Sequence, residues 1–373
     1  MPERHDVIIV GGGYAGLCCG LKLKGKSVLL IEARKEIARK HRGCQCSLYP
    51  FGESFTVEGK DITFHQNNVT VQNALMATLT RLEFASGGHK LTSTLSDPMP
   101  IIDEAKIKGA LEKLCRENGV AIITGTKVTS VDTAGNRVCV YADKQYEADY
   151  LVGADGSHSL VARQLPLKRR KIGSFMEMEV ETERMDIPDN GFYAEMRSIT
   201  EGLYAQPYGD GYMLGVFQGI GSRGKRIDLK KYLEESLHKL KAERIIRRYG
   251  CSMPIYLSAS PSYYKQVIMA GDSVASFSML TITGALLMGF LAGEAVLKHM
   301  EGVSSAFAEY DKKWRKVLQQ GNMDKMRHIF FLLKRLNEKR MPHLVKALEG
   351  ADLASVGKGY YLKRIPGIIR AFL

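Results

Sequence analysis

The 373-residue chain lacks the roughly 18 consecutive apolar residues that a membrane span needs. Its longest uncharged stretch, residues 273–292, carries Ser, Thr and Gly throughout and reads as a loop leading into a buried helix. Cysteine is sparse, and seven is an odd number without small-scaffold spacing. That excludes a disulfide framework and predicts a reducing, cytoplasmic setting. Residues 1–5 run straight into a strand-like segment, so no secretory leader is expected. No internal repeat or low-complexity tract is present, and 45% apolar with 25% charged residues is an ordinary folding composition, which excludes disorder and collagen-like chains. Acidic residues are the minority, 40 against 53 Lys and Arg, for a net charge of +13. Residues 301–373 hold 15 basic and 7 acidic side chains, or +8 of that total. A basic tail of this kind suits an anionic membrane surface, an acidic partner or nucleic acid. None of the standard nucleic-acid modules appears, so nucleic acid is not expected.

What is present begins with a βαβ pattern. Strand-like runs at 5–10 and 27–31 flank a glycine cluster and about three turns of helix-compatible sequence. An amphipathic helix is expected at 103–118, stopped by Gly119, followed by short strands at 120–124, 127–131, 137–141 and 150–152. Residues 69–95 read as weak strands broken by Gly87 and Gly88, and 171–219 as a second strand-rich segment. Residues 227–248 are expected to be helical and basic, 266–269 a short strand, and everything after Gly284 helical. The fold class expected is α/β. A discontinuous Rossmann-like domain (1–68, 101–165 and 262–300) is interrupted by an antiparallel β-rich domain (69–100 and 166–261), with a basic helical region at 301–373.

Gly11, Gly13 and Gly16 give G-x-G-x-x-G spacing, with Tyr14 and Ala15 inside it, between a strand and a helix. This context predicts a tight turn, a backbone open to a pyrophosphate, and close helix–strand packing. Glu32, 21 residues beyond Gly11 at the end of the second strand, is placed to accept from ribose hydroxyls, with Ala33 beside it. A second match, Gly219, Gly221 and Gly224, lacks the acid-terminated strand that must follow and reads as a turn, residues 238–244 being taken as charged helix. Asp155 with Gly156, and Asp272 with Gly271, follow apolar strands, where a carboxylate suits a polar ligand better than a core. His41, Cys44 and Cys46 have soft-ligand spacing but no fourth ligand nearby, so no metal is expected. Cys18 and Cys19 are read as small core residues.

The glycine fingerprint with Glu32, the Ala-Asp-Gly segment and the late Gly-Asp segment, in that order, resemble the FAD signature of para-hydroxybenzoate hydroxylase-like flavoproteins. Within that superfamily the chain is similar to the geranylgeranyl reductase family, from Asp6 to about Trp314 and again in the tail. The resemblance implies FAD, with Glu32 at the adenosine ribose, Asp155 near the pyrophosphate, Asp272 at the ribityl chain and Val128 meeting adenine through its backbone. It also implies that Arg42 and Cys44 lie on a loop approaching the flavin, that Cys44 matters to reduction, and that Lys106 is a basic residue near FAD. The chain departs from the family after Asp272: residues 277–284 end at Gly284 and contain no proline.

The implied activity is saturation of C=C bonds in a polyprenyl lipid, with electrons from NAD(P)H or a ferredoxin-like donor. An isolated alkene must receive a hydride on one carbon and a proton on the other. Phe192, Tyr193, Tyr204, Tyr208, Tyr212 and Phe217 either wall a long apolar channel or fill the sheet core. The alternatives are a group A flavin monooxygenase and a flavin-binding protein without turnover. The single tryptophan rules out the paired-Trp motif of flavin halogenases. Peripheral association with the inner face of the membrane through the basic, aromatic-bearing tail is expected.

Overall fold

The computed structural model describes residues 2–40, 46–48, 55–167, 171–187, 190–198, 201–221, 226–256, 261–274, 281–320 and 340–349. Its first sheet grows around Glu3–Val10, whose final residues Val7, Ile8, Ile9 and Val10 are all buried. A run apolar on both faces is what a central parallel strand requires. Val28–Ile31 and then Ala121–Ile123 lie parallel to it on one side, Gln145–Gly153 and then Val267–Met269 on the other. Register places Val10 opposite Ile31 and Gly153, Ile31 opposite Ile123, and Gly153 opposite Met269. Five strands thus end along one line, and the segments after them form a continuous rim.

Helices Tyr14–Lys22 and Glu104–Glu117 cover this sheet, and the long helix Thr281–Met300 lies on the first of them. The approach is close because Gly289 faces the Ala15 backbone, where a Cβ would come within 2.1 Å of the Ala15 carbonyl. The Glu104 helix starts where expected, since Asp103 accepts from the Ala105 and Lys106 amides, a cap contributing about 1 kcal/mol.

The second sheet has seven strands in the order Glu243–Tyr256, Lys171–Arg184, Gly211–Gly221, Glu201–Tyr208, Gly191–Ser198, Leu75–Ser86 and His89–Ile102. It is antiparallel except where Gly191–Ser198 runs parallel to Leu75–Ser86. Those two strands come from separate stretches of chain, so no hairpin constrains their direction. Gly87 and Gly88, both at positive φ, turn the hairpin between the last two strands. One face of the sheet packs on helix Leu229–Lys239, with Val180, Leu203, Leu214 and Val216 against Leu229, Tyr232 and Leu233. The other face joins the core of the nucleotide-type unit through Phe192, Ala194 and Tyr204. A small sheet of Phe55–Glu58, Asp61–Phe64 and Val69–Val71 completes the strands around the core.

The helix expected over 227–248 is only half present. It ends at Lys239, Lys241 takes a positive φ, and Glu243–Tyr256 is an edge strand paired along Lys171–Arg184. Tertiary pairing has overridden the helix-friendly charge pattern. Glu243 therefore opens a strand instead of lying in a helix, and Gly219 and Gly221 sit in an antiparallel strand, so the second glycine motif has no Rossmann context.

The tail also differs from expectation where it is described. Helix Ala306–Gln320 turns Phe307, Tyr310 and Trp314 into the core. The Tyr310 hydroxyl donates to the Met269 carbonyl at 2.7 Å, and Trp314 Nε1 to Ser262 Oγ at 3.0 Å. These aromatic rings anchor the rim strand and are not offered to a lipid surface. Lys312, Lys313 and Lys316 face solvent. Residues 321–339 and 350–373 lie outside the described residues.

Candidate functional site: a cradle along the strand ends

The rim starts at Gly11, whose amide donates to the Ile31 carbonyl at 2.8 Å and whose φ is +107°. A Cβ there would lie 2.3 Å from the Ala154 carbonyl, and one at Gly16 would lie 1.9 Å from the Gly11 carbonyl. Both glycines are required by close packing of protein against protein. Gly13 is different: a Cβ on it would meet no atom within 4 Å. Its backbone borders open space at the N-terminus of helix Tyr14–Lys22, where amide N–H groups favour an anion. Tyr14 and Ala15 are buried in the first turn.

Glu32 accepts from the Gly12 amide at 2.7 Å and the Arg34 amide at 2.8 Å, so its carboxylate holds the glycine loop against the end of the second strand. The segment bearing Val128 is tied to the same place. Thr126 donates to the Glu32 carbonyl and Gly125 to that of Arg34, and Val128 is buried. Ala33 is exposed at this end. The structure thus assembles Gly11, Gly13, Tyr14, Ala15, Gly16, Glu32, Ala33 and Val128 on one side of the rim.

On the other side, Ser159 is the N-cap of helix Leu160–Gln164, and Asp155 Oδ2 also accepts from its first amides, those of Leu160 and Val161, at 2.7 and 3.1 Å. Asp155 Oδ1 is buried with no hydrogen-bond partner among the described residues, and burial pushes the carboxyl above the usual range. Gly156 follows at positive φ. Ser273 Oγ donates to the Gly153 carbonyl at 2.6 Å, joining the Gly271–Ser273 turn to this segment. Gly271 packs against Ala15, and Asp272 is half-buried in the turn. Gly284 lies buried in the first turn of Thr281–Met300.

Two expected residues, Arg42 and Cys44, lie outside the described residues. A third, Lys106, is turned aside: its amine donates to the Asn73 carbonyl at 2.9 Å and lies 3.9 Å from Asp103. The basic group that the helix does turn inward is Lys108. It is buried, 2.5 Å from Glu104, donates to the Arg39 carbonyl at 2.9 Å and sits 5.7 Å from the Tyr14 ring centre. The i,i+4 pairing of Glu104 with Lys108 was the available signal. Cys18, Cys19 and Cys115 are buried, and desolvation raises all three thiols, that of Cys115 to about 12. These are inert core sulfurs. Among the described residues no three His, Cys, Asp or Glu side chains stand together as a metal site.

An open glycine backbone at a helix N-terminus, an acid at the second strand and an orphaned Asp155 oxygen across the rim suit a dinucleotide lying along the strand ends. Residues 4–248 match the FAD binding domain family. The chain belongs to that family. FAD is its cofactor, and it is an FAD-dependent oxidoreductase. A digeranylgeranylglycerophospholipid reductase of Methanothermobacter thermautotrophicus is 24% identical over 95% of this chain and 94% of its own length. A 3-hydroxybenzoate 6-hydroxylase of Klebsiella oxytoca is also 24% identical, but over 56% of this chain and 53% of its own. Among solved structures, a geranylgeranyl bacteriochlorophyll reductase-like protein of Thermoplasma acidophilum superposes with a TM-score of 0.77 at 17% identity, covering 99% of this chain and 98% of that one. A p-nitrophenol 4-monooxygenase of Pseudomonas putida gives 0.69 at 17% identity, covering 100% and 99%. The α/β fold with an inserted sheet is that of the para-hydroxybenzoate hydroxylase-like flavoproteins.

Proposed function

We propose that this chain is a reductase that saturates C=C bonds of a geranylgeranyl or other polyprenyl lipid. The observation that carries the reading is coverage: similarity to the phospholipid reductase runs through 95% of the chain, whereas similarity to the aromatic hydroxylase stops near half. The match to the FAD binding domain family takes in residues 4–248. Sequence likeness that extends over nearly the whole chain favours the reductase over the hydroxylase.

In this reading the glycine backbone at Gly11, Gly13 and Gly16 and helix residues Tyr14 and Ala15 receive the pyrophosphate. Glu32, Ala33 and Val128 hold the adenosine end, while Asp155, Gly156, Gly271, Asp272 and Gly284 border the ribityl and flavin end. Bound FAD, once reduced by NAD(P)H or a ferredoxin-like donor, supplies hydride. The chain positions the alkene and excludes water from it. Cys44, with Arg42 two residues before it in sequence, serves the reduction. The division into cofactor segments 1–68, 101–165 and 262–300, substrate segments 69–100 and 166–261, and a basic region 301–373 is supported by the two separate sheets. No described helix is long and apolar enough to cross a membrane. A lipid substrate gives a reason for peripheral docking on an anionic inner leaflet through the basic side chains of the tail.

The test is anaerobic. The chain with FAD is reduced, mixed with a geranylgeranyl lipid, and followed by flavin absorbance and product mass. Reoxidation with a mass gain of two hydrogens per bond supports the reductase. No reoxidation by the lipid, with an aromatic compound hydroxylated once oxygen is admitted, supports the hydroxylase instead.

A further inference from the structure

Among the described residues, large apolar side chains are exposed at four positions, Val57, Ile245, Ile246 and Val303. Two of the four are neighbours, and Ile246, at 52%, is the most exposed. Both lie on Glu243–Tyr256, the outermost strand of the seven-stranded sheet, which among the described residues pairs on one side only, with Lys171–Arg184. Every residue from 243 to 248 is exposed, so this end of the strand runs past the packed part of the sheet.

The side chains around the isoleucines are basic. Arg244 and Arg247 bracket the pair and Arg248 follows. Arg244 meets Glu183 at 2.8 Å, but both are exposed, and water and salt screen such a bridge. Neither Arg247, which meets the Tyr249 hydroxyl, nor Arg248 forms an ion pair with a described residue.

Backbone geometry limits what can sit against this edge. Arg247 pairs with Glu181 and Ile245 with Thr182, so Ile246 is the extra residue of a bulge. Lys241 and Arg244 take positive φ, +48° and +34°. A bulge bends the strand and interrupts the row of N–H and C=O groups that an added strand must match. A second copy would also bring this arginine-rich edge against its own charge. Five side chains are far fewer than the roughly 20–30 residues a side of a stable protein interface. Charge and a bulge by themselves would protect the edge, whereas exposed isoleucines among them suit an apolar medium. A surface anionic outside, apolar beneath and fluid satisfies all of these features without any register.

We propose that residues 244–248 dock the protein on an anionic lipid bilayer. Ile245 and Ile246 enter the boundary between headgroups and acyl chains, and Arg244, Arg247 and Arg248 meet the lipid phosphates. The purpose, delivery of a lipid substrate to the sheet assigned to it, rests on the reductase reading above. Lys312, Lys313 and Lys316 of the tail add attraction, but Phe307, Tyr310 and Trp314 are in the core and do not insert.

The test is co-sedimentation of the full chain with FAD on vesicles of phosphatidylglycerol mixed with phosphatidylcholine, against phosphatidylcholine alone. The variants are I245S/I246S, R247E/R248E and, in the tail, K312Q/K313Q/K316Q. All six wild-type side chains outside the isoleucine pair and the pair itself are exposed or half-exposed, so melting temperature and FAD content should hold. Wild type should prefer the anionic vesicles. R247E/R248E should lower binding about 10-fold or more and leave a remainder indifferent to salt. I245S/I246S should lower it about 10-fold and leave a remainder that salt abolishes. The tail variant should weaken it less than either. Wild type that binds both vesicles equally or neither, or ribbon variants that bind as wild type does, overturns the proposal. So does a wild type that ignores vesicles and doubles in mass while the ribbon variants stay monomeric, which assigns the edge to a second copy. These measurements contain no substrate, so their failure leaves the reductase reading standing. Ribbon-dependent vesicle binding by a protein whose reduced flavin no polyprenyl lipid reoxidises overturns that reading alone.

Discussion

The strand-end cradle and the inner face of the inserted sheet are both polar sites, built by opposite means. The cradle is made of backbone. Its specificity lies in where a Cβ is forbidden, as at Gly11 and Gly16, and where space is left open, as at Gly13. The sheet face is made of ionisable side chains, Glu177, Glu179, Tyr204 and Lys40, gathered from segments up to 164 residues apart in sequence. Backbone sites are short and local, so they leave a motif. Side-chain sites assembled by strand pairing leave none.

The largest expected effect separates the two kinds of glycine. Gly16→Val places side-chain atoms against the Gly11 carbonyl and should cost more than about 4 kcal/mol, seen as insoluble or unfolded protein. Gly13→Val should fold with an unchanged melting temperature, because its Cβ meets no atom within 4 Å, and should lose FAD if the proposed pyrophosphate site is there. If Gly13→Val purifies with full flavin, the cradle does not hold the pyrophosphate.

The second effect belongs to the sheet face. Lys40→Met removes the cation beside buried Glu179. Breaking a buried pair costs about 3–5 kcal/mol when the remaining charge has no escape. Here the carboxyl escapes by keeping a proton, since burial already raises it and Lys40 was the opposing influence. The folded state then holds a proton that the unfolded state releases above the ordinary glutamate value. Stability is fully present at low pH and is lost as pH rises through the folded-state value. Melting measured at pH 6 and pH 9 should therefore show a small loss at the first and a larger one at the second, with FAD content unaltered. A pH-independent loss would show that Lys40 acts through packing on Met213, Tyr208 and Tyr249.

The same contrast explains how much was legible. Gly11 to Gly16, Glu32 and the helix stopped by Gly119 were readable because each acts within a few residues or at a fixed spacing along the chain. The sheet's strands were readable as strand-like runs, but their partners were not. Without the pairing of Lys171–Arg184 to Glu243–Tyr256, residues 243–248 look helical. The burial of Lys108 was not legible for the same reason, because position along a helix does not say which lysine the packing turns inward. The inward turn of Tyr310 and Trp314 was not legible either, because their partners, the Met269 carbonyl and the Ser262 hydroxyl, lie more than 40 residues away in sequence.

The smallest effect tests whether Asp155 serves both protein and cofactor. Its Oδ2 already accepts two helix amides, and its Oδ1 is buried with no hydrogen-bond partner among the described residues. Asp155→Asn keeps an oxygen for the amides and replaces Oδ1 by an NH2 group. Those bonds survive, so the melting temperature of the FAD-free chain should move little. If Oδ1 accepts a hydroxyl of the bound cofactor, the amide nitrogen cannot, and FAD affinity should fall about 10-fold, or about 1.4 kcal/mol. The burial that raises the Asp155 carboxyl adds a second readout. Wild-type affinity should weaken at low pH, where the acceptor oxygen becomes protonated, and the Asn variant should lose that dependence. Fluorescence titration of the FAD-free chain across pH measures both. Equal affinity and equal pH dependence in the two proteins would mean that Asp155 serves the helix amides alone and that the cofactor is held from the Gly13 and Asp272 sides.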